Sequence, residues 1–188
     1  MAMNGAEGFP SALRAEHRTM EALMRRLDCA RAHGGPSPDE ELRLLTSLRL
    51  LLDAHLAAEE DHLYPLVRRC LPSGGALADA AARTHATIRR LLDRATDTRL
   101  ASLDRGRSAA ALLVVLRAHL RGEEERLFPA LRARVAPEEL RRCSRRLRQA
   151  RPPRPGEPVW ELPPGTGAIA AVRDHLTGHD TSLRRDSP

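Results

Sequence analysis

Six residues of this 188-residue chain have the types and the spacing to do metal chemistry. Residues 55–66 read HLAAEEDHLYPL and residues 119–130 read HLRGEEERLFPA. The two segments agree at six of twelve positions, with Tyr64 and Phe128 as a conservative seventh, at an offset of 64 residues. Upstream of each segment lies a further histidine, His17 in EHRTMEALMRRL and His85 in THATIRRLLD, at an offset of 68. Repetition at this length is hard to obtain by chance. Positions i and i+4 of a helix share a face, so His55 projects with Glu59 and His119 with Glu123. Burying these imidazoles and carboxylates without compensation would cost several kcal/mol per carboxylate. A metal cluster removes that cost. Four histidines and two glutamates divide over two metals as two His each, with two carboxylates free to bridge. Imidazole with carboxylate suits iron, tolerates manganese, and leaves open positions for a small ligand.

The elements that must position these residues follow from apolar periodicity and breakers. Segment one runs from about Pro10 to His33, with a stripe of Leu13, His17, Met20, Met24 and Leu27. Segment two opens on Ser37-Pro38-Asp39-Glu40, a capping box with proline at the first helical position, and runs to about Cys70. Its stripe is Leu48, Leu52, His55, Glu59, His62, Leu66. Segment three spans 76–97 with Leu77, Ala81, His85, Ile88 and Leu92 facing inward. Segment four runs from about Ser102 or Asp104 to Val135 with Leu112, Val115, His119, Glu123, Arg126 and Ala130. A short fifth helix is expected over 137–150. Pro65 and Pro129 are expected to kink their helices just beyond the site. The fold class is therefore all-α: an antiparallel up-down-up-down four-helix bundle over 10–135, a short basic helix over 136–150, and a Pro-rich extension over 151–188. Six prolines in the seventeen residues 151–167 exclude regular helix there. A small helix is expected at 168–176, and Trp160 is the expected anchor of the extension.

Composition excludes several function classes. All 31 basic residues are arginine, against 25 acidic residues. Residues 1–136 carry 21 Arg and 18 acids, residues 137–150 carry 5 and 2, and residues 151–188 carry 5 of each. The excess is thus weak over the bundle and concentrated in RRCSRRLR at 141–148. That run has no aromatics for base stacking, so no nucleic-acid partner is expected and the run reads as a solvated helix face. No apolar stretch reaches membrane-spanning length, and no secretory signal opens the chain. Cys29, Cys70 and Cys143 are odd in number and far apart, so neither a disulfide framework nor a zinc ribbon is expected. The cytoplasm is the simplest compartment, and oligomeric state is not written in the sequence.

The motifs HLAAEEDHLYP at 55–65 and HLRGEEERLFP at 119–129, with His17 and His85, resemble those of the hemerythrin-like (HHE cation-binding) family over residues 10–135. The resemblance implies a bundle holding two iron ions, a di-iron centre with an oxo or hydroxo bridge, that binds or reduces O2, peroxide or NO. By motif, His17, His55, His85 and His119 are terminal ligands, and Glu59 and Glu123 bridge. Two departures stand out. Oxygen carriers of the family have a second histidine one turn after the third-helix ligand, where this chain has Arg89. They also place the last carboxylate one residue later, at Glu124, whereas the stripe and the repeat favour Glu123. The vacant position at Arg89 favours reactivity over reversible O2 carriage.

Around the ligands, His62 and Tyr64 are candidates for supporting roles, though packing is the plainer reading for both. His175 and His179 share i, i+4 spacing, but Gly178 between them argues against a second site. Three functions compete. The first is a di-iron protein acting on O2, peroxide or NO. The second is a di-iron oxidase or oxygenase of a small organic substrate that serves as its own reductant, since no flavin or CxxC element supplies electrons. The third is an iron or redox sensor acting through a partner protein.

Overall fold

The structure, a computed structural model, describes residues 9–32 and 37–149. Among the described residues every regular element is helical. Helix α1 spans Ser11–Ala32 and α2 spans Pro38–Ala58, which continues through a π-helical turn, Glu59–Leu63, into α3, Tyr64–Cys70. Helix α4 covers Gly74–Thr96. Helix α5, Ser102–Gly122, continues through a second π-helical turn, Glu123–Leu127, into α6, Phe128–Arg134. Helix α7 covers Pro137–Gln149. The predicted segments thus return as four long rods and one short helix. The expected extension over 151–188, with Trp160, His175 and His179, lies outside the described residues.

Local chemistry accounts for the boundaries. Ser37 accepts a hydrogen bond from the Glu40 amide at 3.2 Å, and Pro38 opens α2, as the capping signature requires. Between α3 and α4 the chain turns within three residues, and Ser73 adopts a left-handed φ of 58°. Gly74 follows because a Cβ there would lie 2.1 Å from the Val67 carbonyl oxygen. The expected kinks at Pro65 and Pro129 take a different form. Tyr64 N–H bonds back to the Glu59 carbonyl and Phe128 N–H to that of Glu123, which are the i to i+5 bonds of a π turn. Each π turn takes up one extra residue just before a proline that has no amide to give.

That extra residue shifts the helix face. Beyond Glu59 the buried positions are Leu63, Tyr64, Leu66 and Val67, and beyond Glu123 they are Phe128 and Leu131. His62 is therefore half-buried and Arg126 exposed, where an uninterrupted stripe places both inward. Leu77 also departs from its expected stripe and is exposed.

The rods close on one another: α1 packs on α2, α2 on α4, α4 on α5, and α5 on α1. Two apolar cores fill the interior. One holds Met20, Leu27, Leu48, Leu52, Ile88, Leu92 and Leu112. The other holds Phe9, Leu13, Leu63, Val67, Phe128 and Leu131, joined by Leu140 and Leu147 of α7. Each fully buried side chain of this kind contributes about 1.5–3 kcal/mol. On every rod the six polar residues of interest fall between members of one core and members of the other. Helix α7 turns Leu140, Cys143, Ser144 and Leu147 inward and leaves Arg142, Arg145 and Arg146 in solvent, the expected solvated face. No helix among the described residues is long and apolar enough to cross a membrane.

Candidate metal centre

The six residues converge where the two apolar cores meet. His17, His55, Glu59 and Glu123 offer ligand atoms that all lie within 4.8 Å of one another, and Glu59, His85 and His119 form a second such group. Glu59 belongs to both. Glu123 Oε2 lies 3.5 Å from His17 Nε2 and 3.9 Å from His119 Nε2, so the second carboxylate also spans the two groups. Glu59 does the same from the other side, with Oε1 2.9 Å from His55 Nε2 and Oε2 3.4 Å from His85 Nε2. The pseudo-twofold symmetry of the sequence repeat is visible in this exchange.

Among the described residues, seven atoms at the centre are buried without a hydrogen-bond partner: Nε2 of all four histidines, both oxygens of Glu59, and Oε2 of Glu123. Orphaned polar atoms in an apolar interior are costly, and here they face one another. By contrast, the opposite ring nitrogens are anchored. His17 Nδ1 meets Glu124 Oε1 at 2.8 Å, His55 Nδ1 meets Glu16 Oε2 at 2.8 Å, and His85 Nδ1 meets Glu60 Oε1 at 2.7 Å. A carboxylate on Nδ1 keeps the proton there and leaves the Nε2 lone pair free for a cation. The donor set and its orphaned atoms therefore fit a metal, and no other partner reaches them among the described residues.

Electrostatics point the same way. Burial pushes the Glu59 carboxyl up, but the facing imidazoles of His55, His119 and His85 outweigh it and hold it well below the usual range. Burial disfavours charge on His55 and His119, yet Glu59 and Glu123 prevail and raise both. Protons on the imidazoles thus offset the buried carboxylates, which is the charge a bound cation supplies in their place.

Residues around the six have definite places. Tyr64 donates its hydroxyl to Glu123 Oε1 at 2.6 Å, and its ring meets His85 edge-on. Burial and the neighbouring Glu123 and Glu59 charges push its ionisation far above the usual phenol range. Glu124 lies on His17 Nδ1, outside the ligand groups, and Glu123 lies inside them. Arg89 grips both oxygens of Glu60 at 2.8 and 3.0 Å and so braces the carboxylate that holds His85. His62 faces α7, where its carbonyl accepts from the Cys143 thiol at 3.5 Å. The roles of Glu16, Glu60 and Glu124 escaped sequence reasoning. The EE pair repeated at 59–60 and 123–124 was the available signal.

One flank of the centre opens into a cleft of about 680 Å³ between α4 and α5. Its lining is mostly apolar, and Tyr64, His119 and Glu123 form part of its wall. Among the described residues, no hydrogen bond reaches His119 Nδ1.

Bundle and site together define, over the described residues, an all-helical fold built around a buried His/Glu metal-type cluster. The hemerythrin HHE cation binding domain matches residues 9–131, and the chain belongs to that family. Searches of curated proteins and of solved structures give no match.

Proposed function

We propose that this chain is a non-haem di-iron protein that binds and reacts with O2, peroxide or NO. His17, His55, His85 and His119 would be terminal ligands, and Glu59 and Glu123 would bridge. The observation that carries this reading is the set of seven orphaned atoms facing one another between two apolar cores. Iron there supplies one-electron exchange with a small oxygen or nitrogen species. The chain's own residues do the rest. Glu16, Glu60 and Glu124 fix the tautomer and tilt of three imidazoles. Tyr64 holds one oxygen of Glu123 and leaves the other for the centre. The apolar cores at either end exclude water, so that charge at the site is felt strongly. Short connections between successive rods support the up-down-up-down order.

Metal analysis of the purified chain should give close to two irons per chain. One zinc per chain, or no metal, would end the reading. His55→Ala should abolish iron loading. On mixing the ferrous protein with O2 or peroxide, a reversible O2-dependent absorption assigns carriage and rapid peroxide loss assigns scavenging.

The cleft favours a second reading, an oxidase or oxygenase of a small organic substrate. A diatomic ligand has no use for about 680 Å³ of mostly apolar space beside the centre.

A further inference from the structure

The cleft exists because the two halves of the repeat differ in side-chain size. The 68-residue offset pairs Leu77 with Phe9, Ala81 with Leu13, and Thr84 with Glu16. The 64-residue offset pairs Gly122 with Ala58 and Ala130 with Leu66. In the first half Phe9, Leu13 and Leu66 are each 2% exposed and belong to one apolar core. In the second half Ala81, Gly122 and Ala130 leave that volume open, and Leu77 stands aside at the rim. The same exchange costs His119 its anchor. Glu16 holds His55 Nδ1, and its counterpart Thr84 spends its hydroxyl on the Ala80 carbonyl at 3.1 Å. A glycine at the end of α5 weakens the helix relative to alanine, so Gly122 points to a use for the missing side chain. Arg126 lies across it, since a Cβ on Gly122 would sit 3.1 Å from the Arg126 guanidinium. Arg126 lines the cleft, and no ion pair engages it among the described residues.

We propose that this cleft binds an amphipathic monocarboxylate, with its carboxylate on Arg126 and its apolar body on Ala81, Val115 and Ala118, beside His119. A guanidinium recognises a carboxylate through paired N–H donors. The cleft has the size and the mostly apolar wall of a small-molecule site. The Arg126 guanidinium lies beside Gly122, three residues and roughly 5 Å of helical rise from His119, so the body of a medium-chain acid held there runs on past His119 along Ala118 and Val115. This deepens the second reading above by naming the ligand class, and the binding itself needs no metal.

The test is calorimetric titration of the full chain with decanoate and with 1-decanol, on metal-free and iron-loaded samples whose iron content is measured. Saturable one-to-one binding of decanoate is expected. Ala81→Leu should weaken it by about tenfold or more by filling the cleft, and Ala118→Leu serves as the block if that variant does not fold. Arg126→Gln should weaken decanoate by about tenfold and leave decanol unchanged. No saturable binding by the unaltered chain, as when the chain's own extension fills the cleft, overturns the proposal. So does undiminished binding in both filled variants. Equal effects of Arg126→Gln on acid and alcohol overturn the carboxylate assignment. An iron-loaded chain that ignores decanoate defeats the cleft and leaves the metal reading standing. A chain that binds decanoate and takes up no iron does the reverse.

Discussion

Glu60 does the work of a ligand without being one. It holds His85 Nδ1 and is itself held by both guanidinium nitrogens of Arg89. Burial raises its pKa, but the Arg89 and His85 bonds prevail and keep it ionised below the usual carboxylate range. Glu60→Gln keeps the size and loses the charge, so the His85 ring loses its orientation and some basicity. Iron affinity measured by chelator competition should fall by about 10–100-fold. Arg89→Ala acts only through Glu60 and should cost less than Glu60→Gln. A larger loss for Arg89→Ala would show that Arg89 has another role at the centre. The six central residues were legible in the sequence because i, i+4 spacing and the repeat report on a single helix. The braces were not, because Glu16 on α1 reaches His55 on α2, and Glu124 beyond α5 reaches His17 on α1. Such pairs depend on how one helix is rotated against another, and periodicity carries no record of that.

At the scale of the element, the π turns explain why the inward stripe failed after Glu59 and Glu123. Both begin at the carboxylate that faces the centre, and both end one residue short of a proline-containing turn. A pattern read at a constant 3.6-residue period cannot anticipate an inserted residue, so it placed His62 and Arg126 inward and understated Tyr64. The elements' boundaries were otherwise legible from Pro, Gly and Ser clusters, and two of them carry testable energetics. Gly74→Ala forces a Cβ onto the Val67 carbonyl and should destabilise the protein by about 1–3 kcal/mol. Ser73→Gly relieves a left-handed residue and should stabilise by about 0.5 kcal/mol, the left-handed penalty less the added unfolded-chain entropy. Urea midpoints at unchanged slope measure both. A neutral Gly74→Ala would mean that the α3–α4 turn relaxes freely.

At the scale of the whole molecule, the buried charges tie stability, pH and metal into one balance. In the metal-free protein His55 and His119 are raised above their ordinary value of 6.5. A raised group contributes stability that is fully present below its unfolded pKa and is lost as pH rises through the folded pKa. Glu59 is lowered well below 4.5, so its contribution is present above that value and lost as pH falls through its folded pKa. The metal-free chain should therefore be most stable between the ordinary values of 4.5 and 6.5, and should weaken towards alkaline pH. On the proposed function, a bound metal changes the sign on the alkaline side. Binding requires neutral imidazoles and releases their protons, so affinity rises with pH, and the bound metal stabilises the fold in proportion to the logarithm of its excess over Kd. Melting temperatures of chelated and iron-loaded samples between about pH 5.5 and 8 should then diverge, the first falling and the second holding or rising. Parallel curves would mean that the imidazole protons are not what the metal displaces, and the proposed ligand roles of His55 and His119 would fall.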